Sequence, residues 1–251
     1  MTGVQAHYAN LLAEHYTWML GGDVERVAAE DGALLKQIGV AAPRRPDAVA
    51  VDLGCGPGPQ TLALADMGFS TVIAVDTSQE LLDELTEHAR SRPAVRPVNM
   101  DLLEALPGVA SPGPLEAVVC MRDSVLCLPD HRDVTSLMER VAAALAANGA
   151  FMLTYRDLTE PLAGVDRFLP VRSDEDRIML CALDYAPDTV TVSDLVYTRG
   201  DIGWELHKSS YQKLRLAPDW VAEQVAAAGL DVTHHSPLER GMWSTVATKT
   251  A

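Results

Sequence analysis

Between Val51 and Gly58 the chain reads VDLGCGPG, an apolar run that ends in three glycines, with Pro59 behind it. Gly54, Gly56 and Gly58 let a backbone turn tightly and approach a ligand with no Cβ in the way. A helix starting behind them offers free N–H groups. Nucleotide sites with the spacing GxGxxG hold pyrophosphate by this device. Here the spacing is GxGxG, and Asp52 stands two residues before the first glycine. A carboxylate there would repel pyrophosphate and suit a cationic ligand with an amino group. Asp76 and Asp101 follow at intervals of 24 and 25 residues.

These acids converge only if the elements around them repeat regularly. The spacing predicts buried strands at 48–53 and 71–76, a short strand at 95–98, and further strands at 115–121 and 149–157. Helices are expected between them at 59–68, 78–90 and 131–149, with Thr77 or Ser78 as an N-cap. Such alternation means βαβ crossovers and a parallel sheet covered on both faces. All three acids then lie at the carboxyl ends of neighbouring strands, around one crevice. Before this body, residues 5–38 read as helix broken at Gly21-Gly22, and 42–47 as a link. After it, 177–185, 189–198 and 202–215 read as a three-stranded antiparallel meander. A helix at 218–228 and strands at 230–235 and 243–249 close the chain.

Three carboxylates around a nucleoside fit S-adenosylmethionine (SAM), with S-adenosylhomocysteine (SAH) as product, better than NAD. Asp76 would accept from ribose hydroxyls and Asp101 from the adenine amino group, unless Asp101 is a helix cap. Asp52 lies beside the loop that cradles the methionine part. Cys55, Thr77, Leu102 and Met121 complete the expected cofactor contacts. Over residues 45–157 these motifs resemble the class I SAM-dependent methyltransferases. That resemblance implies a Rossmann-like α/β fold with a doubly wound seven-stranded sheet, order 3-2-1-4-5-7-6, strand 7 antiparallel. It also implies a helical lid at 1–44 and a methyltransferase domain at 45–251 that carries the small antiparallel β insertion 177–215.

The methyl acceptor must be read from the region after strand 4. CMRDSVLCLPD (120–130) lacks the signatures of enzymes that methylate nucleic-acid bases. RDSVLCLPD, TYRDL and SSYQKLRLAPDWVAEQVAAAGL are similar in layout to the glycine N-methyltransferase group. That resemblance implies that Arg156 binds the carboxylate of an amino-acid substrate; a salt bridge to Asp123 or Asp157 is the competing role. The group has an amide where Asp123 stands and a histidine where Cys127 stands, so glycine itself is not implied. Asp123 could accept from an amine, pair with Arg156, or take a proton. The acceptor nucleophile is an amine, a hydroxyl or a carbon. Asp123, His15 and His131 are the candidate bases. Tyr16, Trp18, Ser124, Tyr155, Arg156 and Tyr211 are candidate acceptor contacts, although an aromatic at helical spacing is as readily core. The competing class is a SAM-binding protein that uses the cofactor for another reaction, such as cyclisation.

Charge narrows the partners. The 251 residues carry 35 acids and 20 bases, a net charge of −15. A chain this acidic repels phosphate backbones and anionic membranes, so a small molecule is the expected partner. Four cysteines without a CxxC pair indicate neither a metal site nor a disulfide framework. No signal peptide and no apolar span long enough for a membrane is read, so the expected location is cytoplasmic. Homo-oligomerisation is left open.

Overall fold

A computed structural model describes residues 3–108 and 113–250. Met1, Thr2, residues 109–112 and Ala251, all inside the expected domain spans, lie outside the described residues. The chain opens with α1 (Gly3–His7), a π-helical turn at Tyr8–Leu12, α2 (Ala13–Met19) and α3 (Val24–Ile38). Asp23 caps α3 by accepting from the Arg26 N–H, and Gly39 ends it in a left-handed conformation.

The central elements follow as β1 (Val49–Leu53), α4 (Pro59–Asp66), β2 (Thr71–Asp76), α5 (Gln79–His88), β3 (Val95–Asn99) and α6 (Leu102–Gly108). Next come β4 (Leu115–Cys120), α7 (His131–Ala144) and β5 (Ala150–Arg156). Ser78, not Thr77, caps α5 by accepting from the Leu81 N–H. After an insertion, α8 (Pro218–Ala227), β10 (Asp231–Pro237) and β11 (Met242–Thr248) complete the sheet. Its order is β3-β2-β1-β4-β5-β11-β10, with β11 antiparallel to both neighbours. This is the expected order, with the expected antiparallel strand, the last two strands being displaced in number only by the inserted ones.

Burial explains why β1, β4 and β5 are apolar throughout. On β1, Val49, Val51 and Leu53 join the cluster under α7 and α8, which contains Leu137, Met138 and Val221. Ala50 turns to the other face, among Leu35, Leu64 and Met152. Strands sandwiched this way have no solvated side to mark with polar residues.

The insertion is a four-stranded antiparallel sheet, one strand more than expected. β6 (Phe168–Ser173), β7 (Arg177–Tyr185), β8 (Thr189–Gly200) and β9 (Gly203–Leu214) pair in sequence order. The extra strand β6 hides in FLPVRS, because Pro170 breaks the strand pattern and a bulge lies between Pro170 and Arg172. A proline and a bulge are tolerated there because β6 is an edge strand.

The N-terminal helices join this cap to the main sheet. Leu11, Leu12 and Trp18 pack with Met179 of β7 and Val196 of β8. His7 Nε2 lies 2.9 Å from Asp194 Oδ2, with both side chains buried. Trp18 Nε1 donates to Asp174, and Arg172 and Arg177 lie over its ring. Removing the partner of a buried carboxylate contact is costly. Asp194→Ala should therefore lower unfolding stability by about 2–3 kcal/mol. Urea titration should show this as a lower midpoint at unchanged slope.

Candidate active site

The glycine loop sits at the carboxyl end of β1. Gly54 and Cys55 donate their N–H groups to the Val75 carbonyl, which locks the loop to β2. Gly54 has φ +75°, and a Cβ there would collide with Ser124 Oγ. Leu102 lies on the same spot, 4.0 Å from that Cβ position. A Cβ on Gly56 would meet the Tyr16 ring at 3.5 Å. The loop is thus a cradle kept open by missing side chains, walled by Ser124, Leu102 and Tyr16.

Asp76 is bound into this cradle. Its Oδ2 accepts from the Gly56 N–H and its Oδ1 from the Ser78 N–H, both at 2.9 Å. Burial raises its carboxyl above the usual range, and these N–H groups offset part of the rise. Each oxygen keeps a lone pair for a further donor, as a diol requires. Thr77 beside it is exposed.

Tyr8 and Tyr16 close the cradle from the N-terminal helices, their ring centroids 5.9 Å apart. Burial pushes both phenols up. Opposite them, Asp123 occupies a left-handed turn at φ +68°. Its Oδ1 accepts from the Arg156 N–H, and its Oδ2 accepts from Arg156 Nη1 and Lys213 Nζ, each at 2.7 Å. Burial alone would raise this carboxyl, but Lys213 and Arg156 hold it below the usual range. Lys213 is buried, and its ammonium lies 5.6 Å from the centre of the Tyr211 ring. Tyr211 in turn stacks on His7 at 4.4 Å. Arg156 remains half exposed.

Several sequence expectations change here. Asp52 does not open on the crevice: it is fully buried and accepts from Thr61 Oγ1 at 2.6 Å. Strand alternation explains this, since Asp52 shares the face of Ala50. The Cys55 thiol points into the packing of Val24, Ala28 and Leu62. The Met121 side chain belongs to the core beside Val119 and Met152, and only its carbonyl meets Ser124 Oγ. Asp101 caps α6 by accepting from the Leu103 N–H. Asp123 is not a free base but the shared partner of two cations. His15 is buried, and it titrates lower because of burial, with Arg177 and His207 pushing the same way, so it faces the cap. Trp18 likewise belongs to the joint with the cap, and Tyr155 is fully buried in the core. His131 packs edge-on against Trp220. Ser124, Tyr16, Tyr211 and Arg156 stay around the crevice.

The sequence reading missed Lys213, His7 and the pair in which Arg122 Nη2 donates to both oxygens of Asp31 at 2.8 Å. One signal could have found Lys213: on a strand it shares the face of Tyr211, two residues away.

Comparison with known proteins follows this geometry. Residues 50–149 match the family model described as a methyltransferase domain. A search of curated proteins gives no match. Among solved structures, the CcbJ methyltransferase from Streptomyces caelestis aligns with TM-score 0.76 and 20% identity, covering 97% of this chain and 98% of that one. A SAM-dependent methyltransferase from Clostridium acetobutylicum aligns with TM-score 0.73 and 17% identity, covering 97% and 99%. CalS10, a SAM-bound amino pentose methyltransferase from Micromonospora echinaspora, aligns with TM-score 0.69 and 18% identity, covering 94% and 96%. At these identities the likeness is one of fold. The fold and the matched domain are those of a class I methyltransferase. Residues 50–149 thus carry a methyltransferase domain, on a fold shared with SAM-dependent methyltransferases.

The buried state of Asp52 has a measurable consequence. Burial raises its carboxyl to about 7; the Thr61 bond and Arg122 oppose this, and Asp31 and Asp76 add to it. In the unfolded chain it titrates near 3.9. Between roughly pH 4 and 7 the folded chain keeps a proton that the unfolded chain has lost. Stability therefore falls as pH rises through that window and is level above it. Asp52→Asn should remove this slope. Its gain over wild type should grow from pH 4 to 7 by up to about 4 kcal/mol. Urea unfolding at pH 5 and pH 8 checks this; equal gains at both would contradict the raised carboxyl.

Proposed function

We propose that this chain methylates the amine of a small acceptor that also carries an anionic group, with SAM as methyl donor. The observation that carries the reading is the half-exposed Arg156 beside the shared carboxylate Asp123. Two cations, Lys213 and Arg156, surround one anion, so the wall holds one positive charge in excess. Nε and Nη2 of Arg156 make no hydrogen bond to described residues, which leaves a fork for a carboxylate or a phosphate. The sequence resemblance to the glycine N-methyltransferase group implies the same role.

SAM supplies an electrophilic methyl group on a sulfonium. The chain's residues have the simpler tasks of holding, aligning and excluding water. Asp76 would hold the ribose diol, and the loop Gly54–Gly58 the methionine part. Leu102 and Ser124 would flank the nucleoside. The segment 1–44 would act as a lid, with Tyr8 and Tyr16 shutting out water over the glycine loop. The acceptor would enter between Tyr211 and Arg156.

An amine is favoured over a hydroxyl because the candidate bases are committed elsewhere. Lys213 and Arg156 lower the Asp123 carboxyl and occupy both its oxygens, so it is a weak base, and His15 faces the cap. A neutral amine attacks without a base, and the ammonium it becomes loses its proton to water. A hydroxyl would need a base within hydrogen-bond reach.

The test is incubation with SAM and a panel of amines, amino acids, amino sugars and phenols. Mass spectrometry would read the gain of one methyl group in place of hydrogen. Methylation confined to the phenols would reject the amine. Asp76→Ala should weaken SAH binding by about 1–3 kcal/mol in calorimetry; unchanged affinity would remove Asp76 from the ribose site. Arg156→Met should raise the acceptor KM at least tenfold with SAH affinity kept, and an unchanged KM would remove the anion seat.

A further inference from the structure

All eight large hydrophobic side chains that are exposed among the described residues lie between Leu162 and Leu206. Strand register gathers four of them, Phe168, Ile178, Trp204 and Leu206, on one face. Ile178 lies across from Tyr197, and Tyr197 from Leu206, so the three form one row over β7, β8 and β9. Leu180 and Leu195 form the next row. Phe168 on β6 and Trp204 on β9 extend the patch to both edges. The opposite parity, with Met179, Val192 and Val196, is buried toward the N-terminal helices and the main body. The cap sheet is therefore apolar on both faces, and only one face is covered.

Charge singles out this outer face. Across Ile178–Asp184, Ser193–Arg199 and Trp204–Ser210, its outward positions include only Asp184, Arg199 and Lys208 as charged residues. Asp184 is already paired with Arg167, whose guanidinium also lies over the Phe168 ring. Arg199 pairs with Asp176 and covers the Trp204 ring at 4.7 Å. Among the described residues Lys208 alone of the three has no ion pair, and it lies on the edge strand β9, where a long side chain can carry its ammonium to water. The rest of a chain at −15 repels any copy of itself.

We propose that the outer face of the cap sheet is the surface on which two copies of this chain dimerise, packed sheet against sheet. A two-fold pairing makes the patch its own partner. In the antiparallel arrangement Asp184, near one end of the face, comes opposite Arg199, near the other end, of the second copy. A cationic protein would be drawn to the acidic body instead, and an anionic surface would be repelled by it. Sheet stacking needs flat apolar rows spaced about 10 Å from their counterparts, and the rows described here supply that surface. A contiguous exposed patch of this kind is the usual mark of an interface.

Sedimentation equilibrium on the full chain, from 1 to 100 µM, tests the proposal. The expected result is a species of twice the 27.0 kDa chain mass. Raising salt from 50 to 500 mM should tighten it, because screening relieves the repulsion between two acidic bodies. The double variant Ile178→Glu, Leu206→Glu should dimerise at least 100-fold more weakly, with circular dichroism and SAH affinity unchanged. If that variant does not fold, Leu206→Cys replaces it, and a short bis-maleimide should join two chains through position 206. A wild-type monomer at 100 µM, a dimer that survives both glutamates in a folded chain, or no cross-linking would each overturn the proposal. Binding of monomer to phosphatidylcholine vesicles, abolished by the two glutamates, would also overturn it and assign the face to lipid.

Discussion

The carboxylate of Asp123 joins the three parts of this molecule that must agree in position. It sits on the strap after β4, accepts from the backbone and guanidinium of Arg156 at the end of β5, and accepts from Lys213 on the cap strand β9. A buried carboxylate is tolerable only with such partners. The left-handed turn at Asp123 also sets Ser124 against Gly54. Cap, sheet end and glycine loop are therefore held at one point. Displacing the cap would take Lys213 from Asp123 and leave Arg156 as its cationic partner. The same contacts hold the Asp123 carboxyl below its usual range and occupy both its oxygens, which makes it a weak proton acceptor.

Around that point the proposed cofactor side and the proposed acceptor side are built by different means. The cofactor side is mostly backbone: three glycines, N–H groups aimed at Asp76, and a helix start behind the loop. The acceptor side is mostly side chains from distant segments, with Arg156 from the end of β5 and Tyr211 and Lys213 from the cap, and Tyr8 and Tyr16 of the N-terminus stand over the glycine loop between the two. Backbone cradles vary little because any Cβ would fill them. Side-chain walls on an inserted sheet can change without disturbing the crossovers.

Much of this was legible before the structure. Continuous apolar runs separated by helical segments can only be buried parallel strands, and the strand order and the antiparallel final strand followed from the resemblance built on VDLGCGPG. The loop and Asp76 were singled out by position, and Arg156 by the resemblance to the glycine N-methyltransferase group. What could not be read is side-chain direction and long-range pairing. Asp52 looked like a ligand for a cation, but strand parity turns it away from the crevice. The Lys213–Asp123 contact spans 90 residues and has no local signature. β6 was lost because Pro170 and a bulge erase the alternation by which strands are recognised. His15 and Trp18 were assigned to the acceptor because their types are reactive, whereas their helix face meets the cap.

The π-helical turn at Tyr8–Leu12 explains how two tyrosines eight residues apart come to stand together. In a straight α-helix each residue advances about 100°, so positions 8 and 16 would differ in bearing by about 80°. One surplus residue in a wider turn removes about one such step and leaves the pair within about 20°. The wall over the glycine loop therefore depends on a phase correction rather than on either tyrosine alone. Helical phase is discrete, so this wall tolerates substitutions along the segment far better than it tolerates a change in the number of residues between its two rings.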